Sequence, residues 1–265
     1  MSLRITSWNA NSVRLRQPML ERIRDELDPD ILCLQEIKVE TEKFPREMIE
    51  ALGYQHMLIH GQKSYHGVAV LSKMALDGMQ THTWCGIDEA RHLECRLPGG
   101  AELHNLYIPA GGDIPDAEQN PKFRHKLAML DELTGWFARH RDDNRRIVVL
   151  GDLNIAPHEN DVWSHRQLLK VVSHTPIEVE KLTAFQQSHG FVDAVREIIP
   201  TSEKVYSWWS YRSRDWSTSD RGRRLDHVWL SPALAPGLRH AQVTREARGW
   251  EQPSDHVPVT VDLEV

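Results

Sequence analysis

Short apolar runs that end in polar residues recur along the whole chain. Arg4–Trp8, Ile31–Gln35, Gly67–Ser72, His92–Leu97, Glu102–Ile108, Arg146–Leu150, Leu225–Ser231 and Val257–Val265 read as strands, being rich in β-branched, aromatic or alternating residues. Between some of them the period lengthens to that of a helix. Arg16–Leu27 sets Met19, Leu20, Ile23 and Leu27 at helical spacing, and Phe123–His140 sets Leu127, Leu130, Leu133, Trp136 and Phe137 on one stripe. Ile177–His189 and Val192–Ile198 are shorter helical candidates, and Pro29, Pro45, Pro121 and Pro157 mark boundaries.

The order is mixed. A β-α-β start gives way to adjacent strands, as in hairpins, from about Gly67 to Ile108. A helix-strand unit then ends at Asp152, and a second α/β stretch closes the chain. An α/β fold of two mixed sheets packed face to face, with helices outside, accommodates this order. No short repeat, low-complexity segment or long linker divides the chain, so residues 1–265 read as one domain. A loose likeness between the two halves stays open, since each ends strands in acidic and carboxamide residues.

Composition narrows the class. Charged residues at 26% and hydrophobic ones at 40% suit a soluble globular protein. No apolar run approaches the ~18 residues of a membrane span. The first residues lack a basic segment followed by an apolar run, so a cytoplasmic protein with no membrane partner is expected. Cys33, Cys85 and Cys95 form no CxxC pair and read as reduced, small core fillers. A formal net charge of −6 argues against a protein that simply coats nucleic acid. It leaves room for a nucleic-acid enzyme, because an acidic metal pocket lowers the sum while local basic patches still meet phosphates.

The candidate chemistry lies at the strand ends: Trp8-Asn9, Leu34-Gln35-Glu36, Asn105-Leu106-Tyr107, Gly151-Asp152-Leu153-Asn154, Leu225-Asp226-His227 and Ser254-Asp255-His256. Carboxylates, carboxamides, a phenol and imidazoles together suit a hard metal ion and phosphate-ester cleavage. Glu36, just past a buried-looking strand, is a candidate Mg²⁺ ligand, or else a surface Glu in a turn. Asn9 offers a carboxamide oxygen nearby, or simply bonds its own turn. Asp152 and Asn154, two apart after Gly151, project to one side if the chain stays extended, a carboxylate for a water and an amide donor for a phosphoryl oxygen. An Asx-type turn is the competing reading. Asp226 and Asp255 stand near His256, where a carboxylate behind the ring fixes the tautomer and raises the pKa. Tyr107 is a phenol donor or a half-buried sheet tyrosine. The run from Tyr206 to Trp216 interleaves Trp208, Trp209 and Tyr211 with Arg212 and Arg214, followed by Arg221, Arg223 and Arg224. Such a segment stacks on sugars or bases and contacts phosphates, or is a core strand followed by a solvated loop.

Together these segments resemble the exonuclease III family of DNA-repair nucleases, which includes the class II abasic-site endonucleases. The likeness runs in order through Ser7–Arg14, Leu34–Lys38, Tyr65–Ser72, Asn105–Pro109, Asn120–Phe123, Gly151–Pro157, Tyr206–Arg212, Arg224–Ser231 and Ser254–Val259. LQE, GDLN and SDH belong to the wider endonuclease/exonuclease/phosphatase superfamily. The segments around Asn9, Lys122-Phe123 and Trp208–Arg212 look specific to the exonuclease III branch. The resemblance implies a four-layer α/β sandwich with Mg²⁺ (or Mn²⁺) at Glu36, helped by Asn9, Asp152, Asn154, Asp255 and His256 in one or two ion positions. It implies that Asp152 activates the water, that Asn154 and Tyr107 stabilise the transition state, and that Asp226 supports His256. His256 is expected to donate to the scissile phosphate, and Trp208, Arg212 and Arg223 are expected to meet DNA, with Trp208 as a pocket wall. The family cleaves 5′ to abasic sugars and leaves 3′-hydroxyls, and many members also trim or unblock 3′ ends of duplex DNA. Some members carry an apolar residue or Trp where this chain has Arg223, which loosens the wall or adds a phosphate contact. A monomer is the default expectation. Another phosphodiesterase of the superfamily is the alternative function, and a noncatalytic DNA-binding protein on the same fold the alternative class.

Overall fold

The computed structural model describes residues 1–213 and 215–265; Arg214, one of the arginines of the basic segment, lies outside the described residues. The strands are β1 (Ser2–Asn9), β2 (Ile31–Gln35), β3 (His56–His60), β4 (Val68–Ser72), β5 (Asp77–Thr81), β6 (His92–Arg96), β7 (Glu102–Tyr107), β8 (Ile147–Asp152), β9 (Val192–Asp193), β10 (Asp226–Leu230), β11 (Leu238–Val243) and β12 (Val259–Glu264). The helices are α1 (Gln17–Glu26), α2 (Arg46–Ala51), α3 (Pro121–Arg139), α4 (His165–Leu168), α5 (Pro176–His189), α6 (Ala194–Ile198) and α7 (Trp216–Ser219). No helix among the described residues is long and apolar enough to cross a membrane.

Two six-stranded sheets form, ordered β11-β12-β1-β2-β4-β3 and β5-β6-β7-β8-β10-β9. The two orders are the same pattern used twice. Each sheet has one parallel pair at its centre, β1 with β2 and β7 with β8, and every other pairing described is antiparallel. Each expected strand is present, with its ends moved by a few residues. The unexpected strands β3, β5, β9 and β11 are the four sheet edges. The Val192–Ile198 helix is shorter than expected, because Asp193 ends β9 and caps α6 by accepting from Val195 N and Arg196 N. The helix starts are chemically specified: Asn120 caps α3 ahead of Pro121, and Thr175 with Glu178 forms a capping box on α5.

The layers follow from strand alternation. Leu3, Ile5, Cys33 and Val70 of the first sheet face Leu93, Cys95, Leu103 and Leu150 of the second. Trp8, Leu32 and Leu34 face outward against Met19, Leu20 and Ile23 of α1. Leu106, Val149 and Trp229 face outward against Leu130 and Phe137 of α3 and Phe185 of α5. Cys33 and Cys95 are buried fillers as expected, while Cys85 is half-buried.

A polar seam joins the sheets at one end. Asn105 Nδ2 donates to Leu34 O at 3.0 Å and Ala69 O at 2.9 Å, and Gln35 Nε2 donates to Asn105 Oδ1 at 2.7 Å. All of this is buried. A second buried network brings in Arg224. Its guanidinium donates to Asp161 at 2.7 and 2.9 Å, to Asp193 at 2.8 Å and to His227 Nδ1 at 3.1 Å. Arg224 therefore belongs to the core, which corrects its reading as part of the basic DNA-facing segment. Burial opposes ionisation of Asp161 and Asp193, but Arg224 outweighs it and holds both below the usual carboxylate range.

Gly151 has φ +132°, and a Cβ there would lie 1.9 Å from Leu106 O. Gly151→Ala is expected to lose more than about 2 kcal/mol in urea unfolding, because the β7–β8 pair must part. Asp161 and Asp193 titrate lower folded than unfolded, where the value is ~3.9. Their stabilisation is thus full above that pH and is lost as pH falls through the folded values. Asp193→Asn is expected to cost about 3 kcal/mol at pH 6 and to flatten the acid limb below pH 4, read by denaturation at stepped pH.

Candidate active site

The ends of the two parallel pairs carry the site. Asn9 and Tyr107 are the last residues of β1 and β7, Asp152 is the last of β8, and Glu36 directly follows β2. Asp226 opens β10, and Asp255-His256 lies just before β12. Two residues leave extended geometry to get there: Glu36 has φ +48° and Asn154 φ +55°. The Glu36 turn is held by Ser12 N donating to its carbonyl at 2.8 Å. Lys126, fully buried on α3, donates to Asn154 O at 2.8 Å and pairs with Glu178.

Asn9 joins the two sheets' carboxylates. Its Nδ2 donates to Glu36 Oε1 and to Asp152 Oδ2, each at 2.9 Å. Its Oδ1 accepts from Asn11 N at 3.0 Å. Asn9 thus turns its amide hydrogens, not its oxygen, toward the cluster, since two facing carboxylates demand a donor between them. Asn154 likewise spends its Nδ2 on Asp152 Oδ2 at 3.0 Å and Ile108 O at 2.9 Å, and gives its N–H to Asp152 Oδ1 at 3.0 Å. In this arrangement it orients Asp152, where the sequence suggested a donor free for a phosphoryl oxygen.

His256 completes the centre. Its Nδ1 lies 2.8 Å from Asp226 Oδ2, which also accepts from Ser207 Oγ at 2.6 Å. Its Nε2 points inward, 3.6 Å from Asp152 Oδ2. Burial works against the imidazolium, but Asp226 and Asp152 outweigh it and raise the His256 pKa. Burial, Asp226 and Glu36 push Asp152 up against the pull of His256. Burial also opposes ionisation of Glu36, yet Lys38 at 2.9 Å and the Asn9 amide hold it below its usual range. Burial, then Glu36 and Asp152, keep Tyr107 protonated well past neutrality, so it is a donor, with Arg91 stacked 4.9 Å from its ring centre.

Asp255 stands apart from this centre. Its oxygens accept from Asn11 Nδ2 at 2.9 Å and Trp208 Nε1 at 3.0 Å. Trp208 in turn bridges through its backbone to both Arg223 and His256. A cleft of about 840 Å³ opens over the centre, lined by Trp208, Arg212, Arg221, Arg223 and Leu225. Trp209, by contrast, is core. Arg223 stacks 5.3 Å from the Trp208 ring centre and donates to Val172 O at 2.9 Å and Ser173 Oγ at 2.7 Å. Lys38, Asn11, Arg91, Lys126 and Ser207 were given no role from sequence. The first two sit inside the Leu34–Lys38 and Ser7–Arg14 motifs, which is the signal that pointed to them.

The donor set fits a hard divalent cation. Ligand atoms of Glu36, Asp152 and His256 lie within 4.8 Å of one another. Three carboxylates, Glu36, Asp152 and Asp226, face two cations, Lys38 and His256, a local excess of negative oxygen that Mg²⁺-type ions relieve.

A face-to-face α/β sandwich with carboxylate, carboxamide and imidazole groups gathered at the ends of its central strands defines the class of metal-assisted phosphoester hydrolases. The chain belongs to the Endonuclease/Exonuclease/phosphatase family, whose model matches residues 6–256. It is 30% identical to exodeoxyribonuclease III of Haemophilus influenzae over 98% of this chain and 100% of that protein. An AP endonuclease structure from Archaeoglobus fulgidus superposes with a TM-score of 0.92 at 31% identity, covering 99% of this chain and 100% of that one. A Neisseria 3′ phosphatase bound to product DNA hairpin gives a TM-score of 0.89 at 29% identity, covering 99% and 100%.

The Asp226–His256 contact generates a prediction. Asp226→Asn is expected to lower the His256 titration midpoint by at least one pH unit in an NMR titration. The same change should slow phosphodiester hydrolysis by about 10–100-fold with the fold retained.

Proposed function

We propose that this chain is a metal-dependent DNA-repair nuclease. Its substrates are duplex DNA with abasic sites, cut 5′ to the lesion, and duplex 3′ ends, from which it removes nucleotides or blocking groups. Both reactions leave 3′-hydroxyls. The observation that carries the reading is the convergence of Glu36, Asp152 and His256, from three distant segments, at the floor of a cleft walled by Trp208 and arginines. Names among the relatives support it from outside, being those of an exodeoxyribonuclease, an AP endonuclease and a 3′ phosphatase.

Mg²⁺, or Mn²⁺, would be held at Glu36 with Asp152 beside it, and would supply neutralisation of charge on the reacting phosphate. The remaining work belongs to the chain's own groups. Asp152, its carboxylate held by three N–H donors at the floor of the cleft, accepts the proton of the attacking water. Asn9 and Asn154 hold its oxygens in place. His256, kept as imidazolium by Asp226, and Tyr107, kept as phenol, donate to phosphate oxygens as negative charge grows. Trp208 offers an aromatic wall to a flipped sugar, whose missing base makes extrusion cheap. Arg212 and Arg223 supply positive charge to the DNA backbone. The protein acts as one domain and one copy, in the cytoplasm.

A phosphodiesterase of the same superfamily acting on another ester is the competing reading. Arginines beside Trp208 favour nucleic acid over a small headgroup. Asp152→Asn is expected to cut turnover of abasic duplex at least about 10³-fold while leaving duplex affinity within threefold. Full activity in that variant would remove Asp152 from the base role. Chelation with EDTA should abolish cleavage, and added Mg²⁺ restore it. A preference for a soluble phosphomonoester over both DNA substrates would overturn the nuclease assignment.

A further inference from the structure

The outer face of the second sheet carries another group of imidazoles and carboxylates. Glu94 on β6 pairs in register with His104 on β7, and Arg96 with Glu102. His104 lies three residues before Tyr107, so strand alternation puts it on the face away from the catalytic cleft. Trp136 and Phe137 of α3 cover it, with ring centres 5.7 and 5.1 Å from the imidazole.

The hydrogen bonding of this group does not close. His104 and His92 are fully buried, and His104 Nδ1 lies 3.0 Å from His92 Nε2. One ring donates to the other, which leaves His104 Nε2 and His92 Nδ1 without a partner among the described residues. If His104 Nδ1 donates, its Nε2 lone pair faces the Glu102 carboxylate 3.9 Å away, acceptor against acceptor. If His92 donates, the His104 Nε2–H points at an oxygen beyond hydrogen-bond reach. A buried imidazole nitrogen left this way is costly. Glu94 Oε2 is 4.0 Å from His104 Nδ1, and ligand atoms of Glu94, Glu102 and His104 all lie within 4.8 Å of one another.

We propose that Glu94, Glu102 and His104 bind a divalent transition-metal cation, best matched by Zn²⁺. Two carboxylates and one imidazole, with no thiolate, are a borderline donor set of the kind Zn²⁺ accepts. Tetrahedral Zn²⁺ places neighbouring ligand atoms about 3.3–3.5 Å apart, so His104 Nε2 and Glu102, 3.9 Å apart, close by about half an ångström, and the atoms separated by up to 4.8 Å close by more as Glu94 swings toward Nε2. Binding at His104 Nε2 selects the tautomer in which Nδ1–H donates to His92, the outer-shell bond that orients metal-ligating histidines. Arg145 already orients Glu102 by donating to both of its oxygens, and His82 Nε2, hydrogen-bonded at 2.8 Å, orients Glu94. The site fastens β6 to β7, the strand that ends in Tyr107. It stands independently of the proposed nuclease activity.

The test uses the full chain with Glu36→Gln and Asp152→Asn, which disable the other cluster. Zn²⁺ is added, the protein is dialysed, and bound metal is counted and its affinity measured by calorimetry. One Zn²⁺ per chain is expected. Adding Glu94→Gln or His104→Gln should weaken binding at least tenfold, while the exposed Glu47→Gln should leave it unchanged. Circular dichroism checks each variant's fold, and Glu94→Gln, at a half-buried position, serves if His104→Gln fails to fold. No stoichiometric Zn²⁺, or affinity unchanged in a folded Glu94→Gln variant, would overturn the site.

Discussion

The site exists because two separate sheets are locked in register by buried carboxamides. Gln35 and Asn105 bond across the gap, and Asn105 also bonds the backbone of β2 and β4. Gln35 directly precedes Glu36, and Asn105 stands two residues before Tyr107. Apolar contact between sheets is strong but tolerates sliding, because it is non-directional. Hydrogen bonds in a buried seam do not tolerate it, since each displaced group is left unpaired at a cost of about 1–3 kcal/mol. The seam therefore sets the separation of Glu36 and Asp152, and Asn9 reads that separation by donating to both.

The centre keeps its charge by sharing it. Glu36, Asp152 and Asp226 are carboxylates crowded into one largely buried volume, where like charges repel. Three different devices act on them. Lys38 holds Glu36 in its ionised form. Asp226 spends its charge on His256 and so commits that ring to donation. Asp152 is left with neutral amide donors and a more distant imidazole. Like carboxylates thus differ in behaviour because their nearest partners differ, a distinction carried by geometry and not by charge type.

Much of this was legible in the sequence, and the failures share a cause. The interior strands were found because burial on both faces writes apolar residues into them. The four edges were missed because they bury little: β5, Asp77-Gly-Met-Gln-Thr81, is exposed throughout and has no apolar period to read. In the site, residue types and strand ends announced Glu36, Asp152 and His256. What could not be read was where each polar atom points. Asn9 turns its nitrogen inward, Asp255 spends both oxygens on Asn11 and Trp208, and Arg224 enters the core while Arg223 lines the cleft. Adjacent residues on an extended chain face opposite ways, but only the fold says which way is in.

The repeated topology explains why the chemistry gathers at this end and why the halves are not interchangeable. In the first sheet, β12 begins beside the end of β1, so His256 meets the end of that strand, its carbonyl accepting from Trp8 Nε1 at 3.1 Å. In the second sheet, β6 begins beside the end of β7, and Tyr107 N donates to Arg91 O at 2.8 Å. Arg91 and His256 are thus each a basic side chain close to such a strand end. Their partners diverge. His256 has Asp226 behind it and points its free nitrogen at the centre, whereas Arg91 stacks on Tyr107 and pairs with Glu89. Hydrolysis needs unlike groups on either side of one phosphate, a proton acceptor facing proton donors. A doubled scaffold supplies equivalent positions from both sides, and the side chains placed there break the symmetry that the backbone keeps.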